Sequence, residues 1–325
     1  MTLSPYQKIT LLVHAGAGSG TGGRFASPVA EGLRRAFPGA EIELVETRSK
    51  QHIEEIGRST AAEAVICLTG DGSIHDLAQA LMTRPRSERP TLGMIPAGSG
   101  NDYARTLGMP LDPLKAVELL PSCRPVRADI GRVNTVYFLQ TLSFGVDAAV
   151  ALNTEDLRRS TRSRGLSLYA RAAVAAILHE FDAHEVRIRT EDDEFLLRAL
   201  ILAVQNGPTY GSGFKVAPSA SITDGILDVS IISGIGKPTA LYYLSRIKRG
   251  THERLSGVMS FRSSRLELEF TEQLPIQCDG ERLTGQSFAI AVVPDALDVL
   301  AAPDAPGCAR QGASTGAGTP GDTGE

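Results

Sequence analysis

Over its first hundred residues the chain alternates short apolar runs with segments whose apolar positions recur every three or four residues. The runs Lys8–Val13, Glu41–Glu46, 64–68 and 91–95 have the length of strands, and the run 64–68 is apolar throughout, as in a strand buried on both faces. Between them, Val29, Leu33 and Phe37 predict a helix over 28–37 that Pro38-Gly39 stops, and a charged, Ala-rich stretch predicts another over 51–63. Ile74, Leu77, Ala78 and Leu81 predict a third helix directly after the run 64–68. This alternation implies a parallel α/β sheet with helices on both faces. From about Arg124 the pattern becomes one of short alternating runs, at 126–133, 135–142, 195–204, Leu227–Ile232, 265–270 and 287–293, with helical spacing only at 166–180 and 238–248. The expected organisation is an α/β domain over 1–123, a β-rich, layered or sandwich-like domain over 124–300, and a tail over 301–325 too poor in apolar residues to pack.

Three glycine-rich segments follow strand ends in the first domain: His14 to Arg24, Thr69-Gly70-Asp71-Gly72-Ser73, and Pro96 to Asp102. Parallel sheets bind ligands beyond the carboxyl ends of their strands, and a helix that starts there points unpaired N–H groups at an anion. Gly70 and Gly72 predict a tight turn with positive φ or a close approach of ligand to bare backbone. Phosphate is the guest that suits such loops. Asp71 would repel it unless a metal or a reacting proton lay between, so this acid suggests a metal–nucleotide complex or a base. Alone, Gly-Asp-Gly is also an ordinary turn; three such loops on one sheet edge make the functional reading the stronger.

Composition narrows the classes. The 325 residues are 42% hydrophobic with a net charge of −4, which argues against a nucleic-acid partner and leaves small molecules open. No apolar run is long enough to span a bilayer, so contact with lipid is expected to be peripheral. Cys67, Cys123, Cys278 and Cys308 are widely spread, without metal-ligand spacing, and no signal peptide precedes them. They read as reduced thiols of a cytoplasmic protein.

Taken together and in order, Thr69-Gly70-Asp71-Gly72-Ser73, the block Pro96-Ala97-Gly98-Ser99-Gly100-Asn101-Asp102-Tyr103-Ala104-Arg105 and the late Cys278-Asp279-Gly280-Glu281 resemble the diacylglycerol kinase and sphingosine kinase family, with its bacterial lipid kinases. Phe144-Gly145-Val146-Asp147-Ala148, Tyr210 to Pro218 and Asp224-Gly225-Ile226-Leu227-Asp228 are similar to further family blocks, so the likeness runs from about Lys8 to Val293. The resemblance implies an NAD-kinase/diacylglycerol-kinase-like fold with a β-sandwich second domain, and transfer of the ATP γ-phosphoryl group, with Mg²⁺, to a lipid hydroxyl at the inner membrane surface. By motif position it implies that His14, Thr47, Thr69, Gly70, Asp71, Gly72, Ser73, Ile74, His75, Gly98, Ser99, Asn101 and Asp102 hold the nucleotide. It makes Glu281 the general base, with Asp71 nearest the phosphates, and it implies a magnesium site at Asp224 with backbone oxygens near Ser221 and Ile226.

Some positions depart from the family. His14 stands where Asn is usual, Thr69 where the first Gly of G-G-D-G is usual, and Asp76 where Glu is usual, while Ser73 and Ser99 keep the hydroxyl of the usual Thr. His14 reads as a loop-ordering residue, since no second His or Cys accompanies it at ligand spacing. An NAD kinase shares the fold but not usually the block 98–105, and a non-catalytic nucleotide sensor is the rival from another class. The arginine-rich segment 157–165 reads as a solvated loop or a lid for anionic headgroups, and Arg246, Lys248, Arg249 and Arg254 carry the same ambiguity. Antiparallel edge strands leave a homodimer open. The acceptor cannot be read from these motifs.

Overall fold

The computed structural model describes residues 4–146, 148–150, 172, 174–177, 179 and 181–308. The segment 157–165 and most of the helix expected over 166–180 lie outside these residues.

The first half is a four-stranded parallel sheet: β1 (Lys8–Val13), β2 (Glu41–Glu46), β3 (Ala64–Thr69) and β4 (Thr91–Pro96), in the order β2-β1-β3-β4. Every residue of β3 is buried, which accounts for its unbroken apolar run. The helices are α1 (Thr21–Ala36), α2 (Lys50–Ser59), α3 (Asp71–Leu81), α4 (Asp102–Thr106) and α5 (Pro113–Leu119). Because the chain steps from β1 outward to β2 and then back across β1 to β3, right-handed crossovers put α1 and α2 on opposite faces. Glycines let the helices pair closely: a Cβ on Gly32 of α1 would lie 2.8 Å from Val117 of α5, and one on Gly57 of α2 would lie 2.6 Å from Ala80 of α3. The strand order reverses between β1 and β3, and at that point the carboxyl ends open a crevice.

Two local expectations change. Helix α1 starts at Thr21, seven residues before the expected position, because Gly22 and Gly23 weaken the helical signal. Gly22 is needed there, since a Cβ would lie 2.1 Å from the His14 carbonyl oxygen. Helix α3 likewise starts at Asp71, so Gly72 lies in its first turn, and neither Gly70 nor Gly72 has positive φ. The expected turn is the helix N-terminus itself.

The second half comprises β5 (Arg124–Val133), β6 (Val136–Phe138), β7 (Thr141–Gly145), β8 (His184–Arg189), β9 (Glu194–Ala199), β10 (Ile201–Gln205), β11 (Leu227–Ile232), β12 (Val258–Ser263), β13 (Arg265–Cys278) and β14 (Glu281–Ala301), with helix α6 (Lys237–Arg249). Its pairings are antiparallel, and β8 and β12 are strands the sequence pattern did not reveal. Phe138, Phe144, Phe270, Phe288 and the aliphatic residues of these strands form its core.

Strand β14 joins the halves. Its first part pairs with β13 and its later part with β5, and Val299 meets Leu92 of β4 in parallel register. Ala296, Leu297, Val299 and Leu300 thereby enter the core of the first domain, so that core is built from both ends of the chain. The packed chain continues beyond the expected start of the tail at 301. Ala302 N–H donates to the Leu107 carbonyl, Gly307 N–H to Thr106, and Ile222 N–H to the Gly307 carbonyl, while Ala305 is buried. Backbone pairing holds this segment although its apolar content is low.

Candidate active site

The crevice is lined by the ends of β1, β3 and β4 and by the hairpin between β13 and β14. Gly70 and Gly98 set how close the second and third loops come: a Cβ on Gly98 would lie 2.5 Å from the Gly70 Cα. Asn101 holds the third loop in shape, its Oδ1 accepting from Gly98 N–H at 2.8 Å and its Nδ2 donating to the Gly98 carbonyl at 2.9 Å, with Asn101 itself at φ 56°. Asn tolerates that left-handed conformation better than most residues.

Asp71, the first residue of α3, accepts from Tyr103 N–H at 3.1 Å through Oδ1. Asp102 accepts from Ser212 N–H at 2.8 Å and Gly213 N–H at 2.7 Å, one through each oxygen. Gly211, Ser212 and Gly213 all have positive φ (63°, 68° and 87°), which turns successive N–H groups onto this single carboxylate. The two acids flank Gly100, whose Cβ would lie 2.8 Å from Asp71 Oδ2 and 3.3 Å from Asp102 Oδ2. Burial, then the Asp71 charge, push the Asp102 carboxyl up to about 7 against the pull of the two N–H groups and Arg105. Burial also raises Asp71, against the backbone N–H groups of Tyr103, Asp102 and Asn101.

His14 Nδ1 lies 3.2 Å from Thr47 Oγ1, and the Thr47 hydroxyl donates to the Val13 carbonyl, so the imidazole is the donor of the pair. The two residues tie the end of β1 to the segment before α2. Thr69 is fully buried with no partner for its hydroxyl among the described residues, while Gly72 is exposed with open space around it and Ser73 is partly buried. Ser99 contributes its carbonyl oxygen to the Ser212 hydroxyl at 3.3 Å. Ile74 and His75 are buried: Ile74 is 1% exposed in the first core, and the His75 and Asp279 side chains are 3% and 5% exposed against each other.

Asp279 was not among the expected site residues, yet it anchors the hairpin. It accepts from Leu139, Gln140 and Thr141 N–H groups at 2.6, 3.0 and 2.9 Å, and from His75 Nδ1 at 3.1 Å. Asp279 and Gly280 have φ of 49° and 95°, the two positive values of a two-residue hairpin turn. That turn delivers Glu281, exposed, as the first residue of β14. Lys50, at the start of α2, was also missed. Its ammonium lies 2.7 Å from Asp76 of α3. Burial opposes its charge, but the Asp76 bond and the carboxylates of Asp76 and Glu281 outweigh burial and raise its pKa. The sequence signal for both was position alone: Asp279 within the D-G-E motif, Lys50 three residues after Thr47.

The segment with the expected magnesium ligands does not fit a free cation site. Arg262 of β12 bonds Asp224 Oδ2 and lies 3.5 Å from Asp228, while Ile226 N–H donates to Asp224 Oδ1 at 3.3 Å and the Ser221 hydroxyl pairs with Thr223. Asp129 holds Gly225 N–H at 2.7 Å, so a guanidinium and backbone bonds already close this loop. Among the described residues no group of three or more His, Cys, Asp or Glu side chains is arranged to hold a metal.

A parallel sheet with a phosphate-suited crevice, completed by an antiparallel domain that returns a carboxylate to it, defines a phosphotransferase-like architecture. Two family models match: the diacylglycerol kinase catalytic domain over residues 8–133, and the YegS C-terminal NAD kinase beta sandwich-like domain over residues 140–301. The chain belongs to the diacylglycerol kinase-like lipid kinase family. It is 28% identical over 257 residues to the "Probable lipid kinase YegS-like" of Yersinia enterocolitica, covering 79% of this chain and 84% of that one, and equally identical over 259 residues to the Yersinia pestis protein of that name, covering 79% and 85%. A solved structure of a diacylglycerol kinase from Bacillus anthracis str. Sterne superposes with a TM-score of 0.76 at 21% identity, covering 92% of this chain and 99% of that one.

Proposed function

We propose that the protein transfers the γ-phosphoryl group of ATP to the hydroxyl of a lipid. The observation that carries this reading is that α3 organises both sides of the reaction. Its first residue, Asp71, stands at the nucleotide loops; its His75 binds Asp279 two residues before Glu281; its Asp76 binds Lys50, which feels the Glu281 charge. The exposed N–H groups at the start of α3 and the loop 98–101 receive the phosphates. Glu281 accepts the proton of the lipid hydroxyl while its oxygen bonds to the γ-phosphorus; the bond to the β-phosphate oxygen breaks and ADP leaves. Mg²⁺ would be supplied with ATP as its phosphate complex, where it would offset the charge of the phosphates. Asp102 keeps the second domain in register by binding Ser212 and Gly213. The acceptor is reached at a membrane surface; no described helix is long and apolar enough to cross a membrane.

The test is transfer from labelled ATP with Mg²⁺ to mixed micelles of a total lipid extract. A labelled lipid should form with the native protein and vanish with Glu281→Gln, a change at an exposed position that leaves folding intact. ATP binding without transfer to any lipid would overturn the reading in favour of a sensor, and transfer to NAD in favour of an NAD kinase.

A further inference from the structure

Helix α2 brings a cation to the edge of the sheet where the glycine-rich loops lie. Thr47 N–H donates to the Val13 carbonyl at 2.7 Å, which holds the segment before α2 beside the end of β1. The Ser49 side chain then caps α2 by accepting from His52 N–H at 3.2 Å, so Lys50 is the first residue of the helix, at the carboxyl edge of the sheet. Its ammonium lies 2.7 Å from Asp76 Oδ1. In α3, Asp76 directly follows His75, whose imidazole holds Asp279 at 3.1 Å, two residues before Glu281. Adjacent residues of one helix thus fix the ammonium and the hairpin that carries Glu281.

Asp76 takes one of the three ammonium protons and Lys50 is exposed, which leaves two donors for a ligand. Burial opposes the charge, but Asp76, Glu281 and Glu54 outweigh it and the group stays protonated at neutral pH. Packing does not require the ion pair. A Cβ on Gly57 of α2 would already lie 2.6 Å from Ala80 and 3.1 Å from Leu77 of α3, and an exposed ion pair adds little to so close an approach. Two other cations of the second half are placed elsewhere. Arg262 is bound to Asp224, and Lys248 meets Arg105 at Gly213, where a Cβ would lie 3.5 Å from each, while donating to the Ser212 and Gly213 carbonyls.

The reaction calls for a cation beside Glu281. The attacking lipid oxygen must touch both the carboxylate that takes its proton and the γ-phosphorus. The γ-phosphoryl oxygens therefore come close to a negative side chain, and the transition state spreads charge over all three of them. We propose that Lys50 is a catalytic residue: its ammonium, held by Asp76, donates to the γ-phosphoryl oxygens of ATP and stays with them during transfer. The inference rests on the lipid kinase reading. The acceptor oxygen bonds to phosphorus and its proton passes to Glu281. The bond to the β-phosphate oxygen breaks with its electron pair leaving on ADP, and Lys50 keeps its proton throughout. Its contribution is charge placed before the reaction begins, where the moving group needs it.

ADP lacks the group that Lys50 is said to touch, so a comparison of ATP with ADP isolates the contact. Both nucleotides are titrated with Mg²⁺ into the native protein and into Lys50→Gln, Lys50→Arg and Asp76→Asn, followed by calorimetry, and transfer from labelled ATP to lipid micelles is timed at saturating ATP. Lys50→Gln should lose about tenfold in affinity for ATP and nothing for ADP. Its transfer rate should fall about a hundredfold. Lys50→Arg should recover most of both. Asp76→Asn breaks the same ion pair but keeps the ammonium, so it should retain most of the ATP preference. An ATP-to-ADP affinity ratio unchanged by Lys50→Gln would overturn the proposal, and so would an unchanged transfer rate. Equal losses for both nucleotides in Lys50→Gln and Asp76→Asn would also overturn it, by reducing Lys50 to a tie between helices. A ratio that depends on Lys50 in a native protein that labels no lipid would reject the lipid acceptor and leave the γ-phosphate contact standing.

Discussion

His75 Nδ1 lies 3.1 Å from Asp279 Oδ2, across 204 residues of chain, and both side chains are almost fully buried. This contact clamps helix α3 of the first domain to the hairpin that carries Glu281. Asp279→Asn keeps the shape but leaves one acceptor oxygen for three backbone N–H groups and turns an NH₂ toward them. Unfolding in urea should show a loss on the order of 2–4 kcal/mol. A loss under about 0.5 kcal/mol would mean that Asp279 does not anchor the hairpin.

Gly98 and Gly72 should respond oppositely to alanine. At Gly98 the new methyl meets the Gly70 backbone at 2.5 Å, and neither partner can rotate away. Gly98→Ala should therefore spread the loops and weaken ATP binding by about tenfold or more, read by equilibrium titration. At Gly72 the methyl has open space and lies in a helix, so Gly72→Ala should leave thermal stability equal or slightly higher. Indistinguishable ATP binding by native protein and Gly98→Ala would refute the close-approach account.

Asp102 gives stability a pH dependence of known sign. Its pKa rises from the ordinary 3.8 to about 7 on folding, through burial and the Asp71 charge, so the folded state binds its proton more tightly than the unfolded chain. The corresponding stabilisation is complete below the ordinary value and is lost as pH rises through about 7. Chemical denaturation at about pH 5 and about pH 8 should show this group favouring the lower pH. Asp102→Asn should flatten the slope whatever its effect on absolute stability. A slope unchanged by the substitution would show that the carboxyl titrates normally.

Arg262 supplies the positive charge at the loop 221–226. Magnesium without nucleotide should therefore leave the melting temperature of the native protein unchanged. Arg262→Gln frees Asp224 and Asp228, and that variant should be stabilised by Mg²⁺. Stabilisation of the native protein by Mg²⁺, abolished by Asp224→Asn, would instead establish a metal site in spite of the guanidinium.

The elements legible in the sequence were those with a strong local period. Lys8–Val13 and Leu227–Ile232 form strands at their expected limits, because their apolar pattern reports burial directly, and Glu41–Glu46 does so as an edge strand with no buried residue. The start of α1 was hidden by Gly22, which is kept for a close approach to His14 and not for helix propensity. Strands β13 and β14 are 14 and 21 residues long, well beyond the apolar cores that marked them, because polar residues on an exposed face extend a ladder without extending its pattern. In the candidate site, the motifs singled out Asp71, Asn101 and Asp102, which the structure brings together on neighbouring loops, but did not reveal that Ile74 and His75 are buried.

The sequence alone determined an α/β half followed by a β half, three glycine-rich strand ends on one edge, and a late acidic hairpin. Periodicity states which face of an element is buried, and motif order states which loops belong together. Neither states what lies opposite. The tertiary structure decided that β14 returns to complete the first core, that Asp279 binds His75, that Arg262 covers Asp224, and that Arg105 and Lys248 meet at Gly213. Each of these depends on contacts between distant parts of the chain, where geometry in three dimensions, and not local pattern, sets which charges and backbone groups meet.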